Sequence, residues 1–440
     1  MNPLERMRRE AREIFDAALS ASDARAAVLH AVELEGTRLR IGAEEFDLSA
    51  GPTKIYGVAV GKAAAAMASG LEERLGGLLK GGVMTGPLLG VELSARWRVF
   101  EGGHPLPDAE SLNAARAAFE LLGEADDASC LVVFFVSGGG SAMLEWPRDE
   151  RVTLEDLRAA NRALVNCGAA IAEVNAVRRA FSAVKGGGLA SAAGRARQVT
   201  LVVSDVGRGE GSEADVASGP TLPPPVAHDP REVVSRYGLA ARLPPSILRA
   251  VEEYEPPSPA PSSTQSCSVL LDNMTAVEAA AAAARERGYA VEVAEDISEQ
   301  EVGEGSAALV ARLAGLRERA GTGGVCVVSG GEFACPVRGG GTGGRNSETA
   351  LRCAFEFEKT AGPAVALCAG TDGIDGNSPA DGAVADTSTL RRAREAGLAP
   401  SKFLEESDAY SLFQRLGDAI VTGPTGTNVR DLRVLLTRKS

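Results

Sequence analysis

The sequence predicts an α/β protein in which helices alternate with the strands of a mainly parallel sheet. Three observations support this prediction: apolar runs of strand length, helical patterns between them, and glycine- or serine-rich turns where the runs end. Runs that are apolar on both faces are typical of buried parallel strands. The five clearest runs with their turns are VAVGKAA (58–64), LVVFFVSGGGSA (131–142), LVVSDVGRGEGS (201–212), VCVVSGGE (325–332) and VALCAGTDGIDG (365–376).

The order of these patterns predicts two domains and a linker. Apolar positions at helical spacing predict one or two leading helices over residues 4–34. Strands and helices then alternate from about residue 54 to the end of the chain, with one interruption at the proline- and serine-rich stretch PPSPAPSSTQ. We therefore predict an N-terminal domain over residues 1–255, a linker over 256–265 and a C-terminal domain over 266–440.

Composition excludes several classes of protein. The 440 residues are 45% hydrophobic and 24% charged, which is enough to form a large core without disulfides or structural metals. Lys and Arg number 46 against 59 Asp and Glu, and no basic stripe is present, so nucleic acid and anionic membranes are excluded as partners. The seven cysteines are scattered without a Cys-x-x-Cys pair, so we interpret them as small buried hydrophobes.

The N-terminus and the lengths of the apolar runs indicate a soluble cytoplasmic protein. No run approaches the roughly 18 residues of a membrane helix. Acidic Glu5, Glu10 and Glu13 lie among the basic Arg8 and Arg9, whereas signal and transit peptides avoid acids.

A long helical pattern covers Thr153 to Lys185. Thr153 and Asp156 have the spacing of a capping box, and the glycines at 186–188 end the pattern. A polar stripe with intervals of three, four and three residues predicts one shared helix face for Asn175, Arg178, Ser182 and Lys185. This stripe is either a solvated face or the wall of a site with two cations.

The loop GGGTGGRNSE (339–348) has the residue types that bind phosphate. Glycines leave backbone N–H groups unobstructed, a helix is predicted to begin at Arg345 after the short strand ACPVR, and a guanidinium can bind phosphate in a fork. The predicted phosphate-binding residues here are Gly343, Gly344 and Asn346. The run also matches G-x-G-x-x-G, the pattern of a dinucleotide-binding site. Such a site needs an acidic residue at the end of the next strand to bind the ribose, and that strand has none. A dinucleotide site is therefore a less favoured interpretation than a phosphate-binding loop.

A second anion-binding turn, SGGGSA (137–142), follows the strongest strand, and a tight turn alone does not need three glycines. Its predicted phosphate-binding residues are Ser137, Gly138, Gly139, Gly140 and Ser141. Lys62 follows a strand where a helix begins, a position that the helix macrodipole disfavours for a cation, so we interpret it as a ligand-binding residue.

Three carboxylates, Asp205, Asp372 and Asp375, lie at strand ends beside glycines. Such positions suit Mg²⁺, which proteins hold with one or two carboxylates plus substrate phosphates, although Asp is also common in turns. The three histidines (30, 104, 228) lie outside these loops, which disfavours a zinc hydrolase or a Ser-His-Asp enzyme.

Taken in order, these blocks resemble the D-glycerate 2-kinase family, whose C-terminal module is called MOFRL. The likeness covers nearly the whole chain. It includes VGKAA, GGHPLPDAES, VSGGGSAML, AEVNAVRRAFSAVKGGGLA, VVSDV, ASGPT, GGGTGGRNSE, GTDGIDG and TGPTGTNVRDL. The resemblance implies two α/β domains, the first Rossmann-like, with the active site in the cleft between them.

The resemblance also implies an activity: transfer of phosphate from ATP to the 2-hydroxyl of D-glycerate with a divalent metal. The family's catalytic motif residues fall on Lys62, Asp205 and Arg345. We assign the glycine turns to the ATP phosphates, Asp205 with Asp372 assisting to Mg²⁺, and Asn175, Arg178 and Lys185 to the substrate, whose carboxylate needs a cation. A homodimer is one assembly compatible with the sequence.

The chain departs from the family pattern at Gly207–Gly211, at Ser347 and at Asn377. Three alternatives stay open: a kinase acting on another small hydroxy acid, an NAD(P)-dependent hydroxypyruvate reductase, and a relative that senses a nucleotide or metabolite without turnover. Oxidation of a reduced cofactor would indicate the reductase, and ATP binding without ADP release would indicate the sensor.

Overall fold

The computed structural model describes residues 2–209, 211–224, 228–255, 265–320 and 323–438. The chain forms two compact units. The N-terminal unit is Ala24–Leu271, and the C-terminal unit combines Met1–Asp23 with Asp272–Ser440. This division differs from the predicted boundaries, because the first helix belongs to the C-terminal unit and the strand at 265–271 to the N-terminal unit. Residues 256–264 of the predicted linker lie outside the described residues.

The chain begins with two helices, as predicted, and continues through the N-terminal unit. The helices are α1 (Pro3–Ala21) and α2 (Ala24–Ala31). The following elements are β1 (Val32–Glu35), β2 (Arg38–Ile41), β3 (Glu44–Asp47), β4 (Lys54–Val60), α3 (Ala64–Leu75), β5 (Leu79–Thr85), β6 (Trp97–Phe100), α4 (Ala109–Ala125), β7 (Cys130–Ser137), α5 (Gly140–Met143), α6 (Leu154–Val165), α7 (Ile171–Phe181), α8 (Gly188–Ser191), β8 (Arg197–Val203), α9 (Pro230–Arg236), α10 (Pro245–Glu252) and β9 (Gln265–Leu271).

The N-terminal unit is built on a six-stranded sheet in the order β6-β5-β4-β7-β8-β9, and every neighbouring pair is parallel. Counted from β4, this is the order 3-2-1-4-5-6 of a doubly wound Rossmann sheet. All eight residues of β7 are buried, and Val132, Phe134 and Val136 on one face belong to a core cluster that includes residues of α4. A small antiparallel sheet, β1-β2-β3, was not predicted.

The C-terminal unit continues from Asp272. Its elements are α11 (Asn273–Glu286), β10 (Tyr289–Val293), α12 (Val302–Arg319), β11 (Gly324–Gly331), α13 (Arg345–Phe357), β12 (Ala364–Gly370), β13 (Gly382–Asp386), α14 (Thr389–Glu395), α15 (Pro400–Glu405), α16 (Ala409–Leu416), β14 (Ala419–Ile420) and β15 (Asp431–Arg438).

The second sheet is mixed, so the prediction that parallel strands continue to the end of the chain is wrong here. Its order is β10-β11-β15-β12-β13-β14, and only the β10–β11 pair is parallel. Strand β15 lies antiparallel between β11 and β12, and all three strands are almost entirely buried. A strand that is buried on both faces is apolar throughout, whether it runs parallel or antiparallel to its neighbours. The sequence pattern therefore does not indicate the direction of the strand.

Two local predictions also need correction. Residues 153–185 form two helices, and Thr153 caps the first by the predicted capping box with Asp156. The second helix, α7, ends at Phe181 because Ser182 adopts an extended backbone, so Ser182 and Lys185 do not lie on the helix. The predicted strand ACPVR is reduced to an isolated bridge at Ala334. Within the described residues, no helix is both long and apolar enough to cross a membrane.

Candidate active site

The turns that carry Lys62, Ser137–Ser141 and Asp205 lie at one edge of the N-terminal sheet. They follow β4, β7 and β8, and the strand pairing aligns Val60 with Val136 and Ser137 with Val203. The order of the strands reverses beside β4, because the chain builds outward from β4 first through β5 and β6 and then through β7. Ligands of doubly wound sheets bind at such a reversal, outside the carboxyl ends of the strands.

The turn at Lys62 and the turn after β7 are held together by backbone groups. The Lys62 N–H donates to the Gly138 carbonyl at 2.9 Å, and the Ala63 N–H donates to Ser137 Oγ at 3.1 Å. Ser137 Oγ in turn donates to the Val60 carbonyl at 3.0 Å. Gly61 has φ of 109°, and a Cβ there would lie 2.3 Å from the Ser137 carbonyl oxygen. The close approach of the two turns therefore requires glycine at 61.

The Lys62 side chain runs beside the glycine turn. A Cβ on Gly139 would lie 3.4 Å from Lys62 Cγ and 3.2 Å from His104 Cδ2, and its φ of 82° also favours glycine. His104 therefore lies at this site although its loop showed no chemistry-bearing pattern. The only signal was its position in the block GGHPLPDAES.

A chain of hydrogen bonds connects the end of this turn to α7 and to the segment after β8. Ser141 Oγ lies 2.9 Å from Ser218 Oγ, which donates to Asn175 Oδ1 at 2.8 Å. Asn175 Nδ2 donates to Asp215 Oδ1 at 3.1 Å. Ala217 and Ser218 both have left-handed backbones, a strained conformation that such surrounding contacts can hold.

This network changes the interpretation of the predicted substrate residues. Asn175 and Lys185 are buried and bonded within the protein, with the Lys185 ammonium donating to Glu145 at 2.5 Å and to the Ser141 carbonyl at 3.0 Å. Both are therefore poor candidates for direct contact with substrate. Arg178 is only partly buried, and it donates to the neutral amides of Asn161 at 3.1 Å and Asn175 at 3.4 Å. Burial lowers the pKa of Arg178, and the charge of Glu145 opposes this effect.

The segment that departs from the family pattern, 207–211, follows Asp205 and Val206. Arg208 and Gly209 are exposed, and a Cβ on Gly209 would meet no atom within 4 Å. Glu210 lies outside the described residues.

In the C-terminal unit, Arg345 is the first residue of α13 and binds two carboxylates. Its Nε donates to Asp431 Oδ2 at 2.5 Å and its Nη2 to Glu332 Oε1 at 2.6 Å. Asn346 Nδ2 also donates to Asp431, at 2.9 Å. Because β15 is antiparallel to its neighbours, Asp431 at its start pairs with Gly331 and Gly370 at the ends of β11 and β12. Asp431 was not predicted, because it begins a strand and chemistry was expected after strands. Glu332 follows β11 directly, in the run VCVVSGGE, but nothing in that turn indicated a partner for it.

Six backbone N–H groups of the glycine loop already have acceptors within the unit. Four of the acceptors are side chains: Asp408, Asp375, and Asn377 and Ser347, which depart from the family pattern. The bonds run from Gly341 to the Glu406 carbonyl, from Thr342 to Asp408, from Gly343 to Asn377, from Gly344 to Ser347, and from Asn346 and Ser347 to Asp375. Phosphate binding by Gly343, Gly344 and Asn346 stays a prediction, and it requires some of these N–H groups to change partner.

Asp375 acts as a cap for α13. Its two oxygens accept the N–H groups of Asn346 at 2.8 Å and Ser347 at 2.9 Å, and the Ser347 hydroxyl donates to it at 2.6 Å. Burial raises the pKa of Asp375 to about 6, although the hydrogen bonds from Ser347 and Asn346 oppose the shift. Its oxygens are thus committed to the helix rather than to a metal.

The carboxylates assigned to Mg²⁺ belong to different units, Asp205 to the N-terminal and Asp372 to the C-terminal unit. Within the described residues, no group of three or more His, Cys, Asp or Glu side chains could hold a metal ion. Mg²⁺ that arrives with a nucleotide needs only one or two carboxylates, because phosphate oxygens and water complete its coordination. Asp372 is half-buried beside Gly370, whose missing side chain leaves room, so a single-carboxylate site fits these residues.

The glycine run does not have the structure of a dinucleotide fingerprint. That motif requires the glycines to form a tight turn leading directly from a strand into a helix. Here β11 ends at Gly331 and α13 begins at Arg345, with an irregular segment between them that contains the run.

The fold and these groups define the class: an enzyme scaffold of two α/β units that places cations and glycine turns at the ends of strands. Family models agree with this architecture. A "Domain of unknown function" model (DUF4147) matches residues 10–252, and the MOFRL family model matches residues 325–431.

Curated relatives span almost the whole chain. D-glycerate 2-kinase of Thermotoga maritima is 35% identical over 85% of this chain and 88% of its own length. A protein of Agrobacterium vitis named "Putative hydroxypyruvate reductase" is 36% identical over 97% of this chain and 93% of its own. A crystal structure of glycerate kinase from Thermotoga maritima has a TM-score of 0.82 at 30% identity, covering 98% of this chain and 99% of that one. The chain belongs to the MOFRL-containing glycerate 2-kinase family.

Proposed function

We propose that this protein is a glycerate 2-kinase that uses ATP to phosphorylate the 2-hydroxyl of D-glycerate, giving 2-phospho-D-glycerate and ADP. The observation that carries the proposal is the position of Lys62. It lies beside the glycine turn 137–141, where the strand order of a doubly wound sheet reverses, in a chain of this family. The predicted cytoplasmic location, the interdomain position of the active site and the homodimer stay predictions.

Phosphoryl transfer depends on positioning and on charge neutralisation. The glycerate 2-oxygen attacks the γ-phosphorus, the bond from that phosphorus to the β,γ-bridging oxygen breaks, and ADP leaves. Lys62 and Arg345 neutralise the charge of the transferring group, and the N–H groups of the 137–141 turn bind phosphate oxygens. Asp205 orients the attacking hydroxyl and accepts its proton.

Mg²⁺ bound with ATP would supply additional neutralisation of the phosphate oxygens. Of the two carboxylates predicted for it, Asp372 would hold it as the single protein carboxylate, because Asp205 is assigned to the attacking hydroxyl. Asp372 is half-buried and follows the end of strand β12.

The substrate carboxylate needs a forked or mobile cation. Arg178 and Lys185 are the two cations predicted for this role. Arg178 is the better candidate, because the hydrogen-bond partners of Arg178 among the described residues are neutral amides. A guanidinium can bind a carboxylate in a bidentate fork, and the amide oxygens that accept from Arg178 carry no charge that would compete for it.

A coupled assay of ADP release tests the proposal with D-glycerate, L-glycerate, tartronate and related hydroxy acids, and phosphorus NMR locates the new phosphate. We expect ADP release that depends on D-glycerate and a product phosphorylated at carbon 2. Turnover restricted to another acid would reassign the substrate. Oxidation of NADH or NADPH by hydroxypyruvate, without ADP release, would overturn the proposal in favour of the reductase.

A further inference from the structure

A fully buried ion pair, Glu145–Lys185, lies beneath the glycine turn of the N-terminal unit. The Lys185 ammonium and the Glu145 carboxylate are 2.5 Å apart, and both side chains have 0% exposure. Neither group reaches the surface, so neither takes part directly in the phosphoryl transfer proposed above.

Folding alone does not explain the pair. Moving two charges out of water is costly, and replacing a buried pair with uncharged groups of similar size is often neutral or stabilising. A buried pair is thus weak evidence of a role in stability, and its contacts have to show what it holds in place.

The hydrogen bonds of the Glu145–Lys185 pair include one to the glycine turn 137–141. Lys185 Nζ donates a second hydrogen bond to the Ser141 carbonyl, at 3.0 Å. Glu145 Oε1 accepts the Ser182 hydroxyl at 2.5 Å and the Trp146 N–H at 3.0 Å, so the carboxylate is itself fixed at its other oxygen. Ser141 is thereby held twice, at its carbonyl by Lys185 and at its hydroxyl by Ser218.

The turn has no such anchor of its own. Gly138, Gly139 and Gly140 have no side chains, and glycine has more backbone freedom than any other residue. The turn is fixed on one side by the bonds of Ser137 and Gly138 to the Lys62 turn, and on the other side at Ser141. The carbonyls of Gly139 and Gly140 accept N–H groups from Ala142 and Leu144, so these two glycines move with the segment that Ser141 anchors. Loss of the Ser141 anchor therefore loosens the second half of the glycine turn.

We infer that Glu145 and Lys185 are positioning residues that fix the 137–141 turn from below and so aim its N–H groups at the ATP phosphates. Only the kinetic effect expected from this inference rests on the proposed function. Lys185 thus acts through the turn, whereas the sequence analysis assigned it to the substrate. Burial lowers the pKa of Lys185 and Glu145 opposes the shift, so a single substitution at Glu145 would lower the pKa of Lys185 further.

The test uses the full-length double variant Glu145→Gln/Lys185→Met, which removes both charges at nearly constant volume. We expect a thermal midpoint close to that of the wild type. We also expect kcat/KM for ATP to fall by about 10²-fold, since a displacement of about 1 Å at a reacting site has that effect. Amide hydrogen exchange should accelerate at residues 138–142 and not in strand β7.

Three outcomes would overturn the inference: wild-type kinetics in the stable double variant, unchanged exchange at 138–142, or a double variant that does not fold, which would assign the pair to stability. Glu173→Gln is the matched control, because Glu173 on α7 pairs with Arg236 at 2.5 Å and also accepts hydrogen bonds from Ala170 and Tyr237, all of which lie outside the turn. It should leave both kinetics and exchange unchanged. If the wild type itself shows no kinase activity, the proposed function fails, while the exchange experiment still decides the role of the pair.

Discussion

Arg345 has its charge fixed by two carboxylates. Burial lowers the pKa of this guanidinium, but the charges of Asp431 and Glu332 outweigh burial and leave it above the ordinary value. The side chain is therefore a permanent cation whose Nε and Nη2 are oriented by protein. Such an arrangement suits a group that stabilises charge developing on a phosphoryl group.

We expect Arg345→Ala to lower kcat by about 10³-fold or more, because loss of an arginine at a transferring phosphoryl group has effects of this size. Steady-state kinetics with D-glycerate measures it, with circular dichroism to verify folding. Arg352→Ala is the control, since Arg352 lies on the same helix and pairs with Glu348 at 2.7 Å. A rate above about a tenth of the wild type would remove Arg345 from the mechanism.

Substitutions of Lys62 test whether catalysis needs the ammonium group itself or only a positive charge at this position. We expect Lys62→Ala to be nearly inactive and Lys62→Arg to be impaired as well, because a planar fork and a compact ammonium do not bind phosphate in the same way. The measurement is kcat and KM for ATP. Lys80→Ala, at an exposed position of strand β5, is the control. Full activity of Lys62→Arg would reduce the role of Lys62 to a general positive charge.

Titration of Asp375, which caps helix α13, makes the stability of the protein depend on pH. In the folded protein the Asp375 carboxyl keeps its proton up to about pH 6, whereas the ordinary value is 3.8. Between these values the folded state binds more protons than the unfolded chain, so the free energy of unfolding falls as pH rises. Wild-type stability should therefore fall relative to Asp375→Asn as the pH is raised from 4 to 7, by on the order of 2–3 kcal/mol.

Chemical denaturation at several pH values measures this difference. Asp149→Asn is the control, because hydrogen bonds from Arg151 lower the pKa of Asp149 to about 2 and leave it ionised throughout that range. Parallel curves for the wild type and Asp375→Asn would contradict the assignment.

At the scale of elements, the site depends on the close approach of the β4–α3 turn and the turn after β7. We expect Gly61→Ala to destabilise the protein and abolish activity, since its Cβ would lie 2.3 Å from the Ser137 carbonyl and its φ is 109°. Gly123→Ala within α4 meets no atom within 4 Å and should be neutral or stabilising by about 1 kcal/mol. Thermal unfolding measures both variants. An active, stable Gly61→Ala variant would show that the turns tolerate separation.

The first sheet was predictable because its buried apolar runs do belong to parallel strands, as such runs typically indicate. Parallel strands place all of their carboxyl ends at one edge, so apolar runs that end in glycine-rich turns indicate turns that share an edge, as those after β4, β7 and β8 do. In the second sheet the antiparallel β15 brings its first residue, Asp431, to the ends of β11 and β12. The long-range pairing of β15 leaves no trace in local periodicity, so this part of the site was not predictable.

Side-chain partnerships were the least predictable level. Lys185 and Arg178 share one sequence stripe, yet one is fully buried against Glu145 and the other is held by neutral amides. The difference depends on where α7 ends and on a glutamate 40 residues earlier in the chain. Spacing indicates which residues can share a helix face, but not which partner across the fold will neutralise them.

At the scale of the whole molecule, the chain path ties its first residues to the C-terminal unit. The buried face of α1 consists of Met7, Glu10, Ala11, Ile14, Phe15 and Ala18. Arg8 pairs with Asp386 at 2.7 Å and also with Asp418, and Arg287 pairs with Glu13 at 3.1 Å. A helix that precedes the N-terminal unit in sequence thus completes the core of the C-terminal unit.

We therefore expect residues 272–440 to be unfolded when expressed alone and to fold when a peptide of residues 1–23 is added. Burial of Met7, Ile14 and Phe15 contributes on the order of 5–9 kcal/mol, at about 1.5–3 kcal/mol for each side chain. That is comparable with the roughly 5–15 kcal/mol by which a whole domain is stable, so its loss leaves little net stability. Circular dichroism and calorimetric titration with the peptide measure the effect. A peptide with Ile14→Asp and Phe15→Asp is the control and should not restore folding. Cooperative unfolding of residues 272–440 alone, near the midpoint of the intact protein, would contradict this assignment of α1.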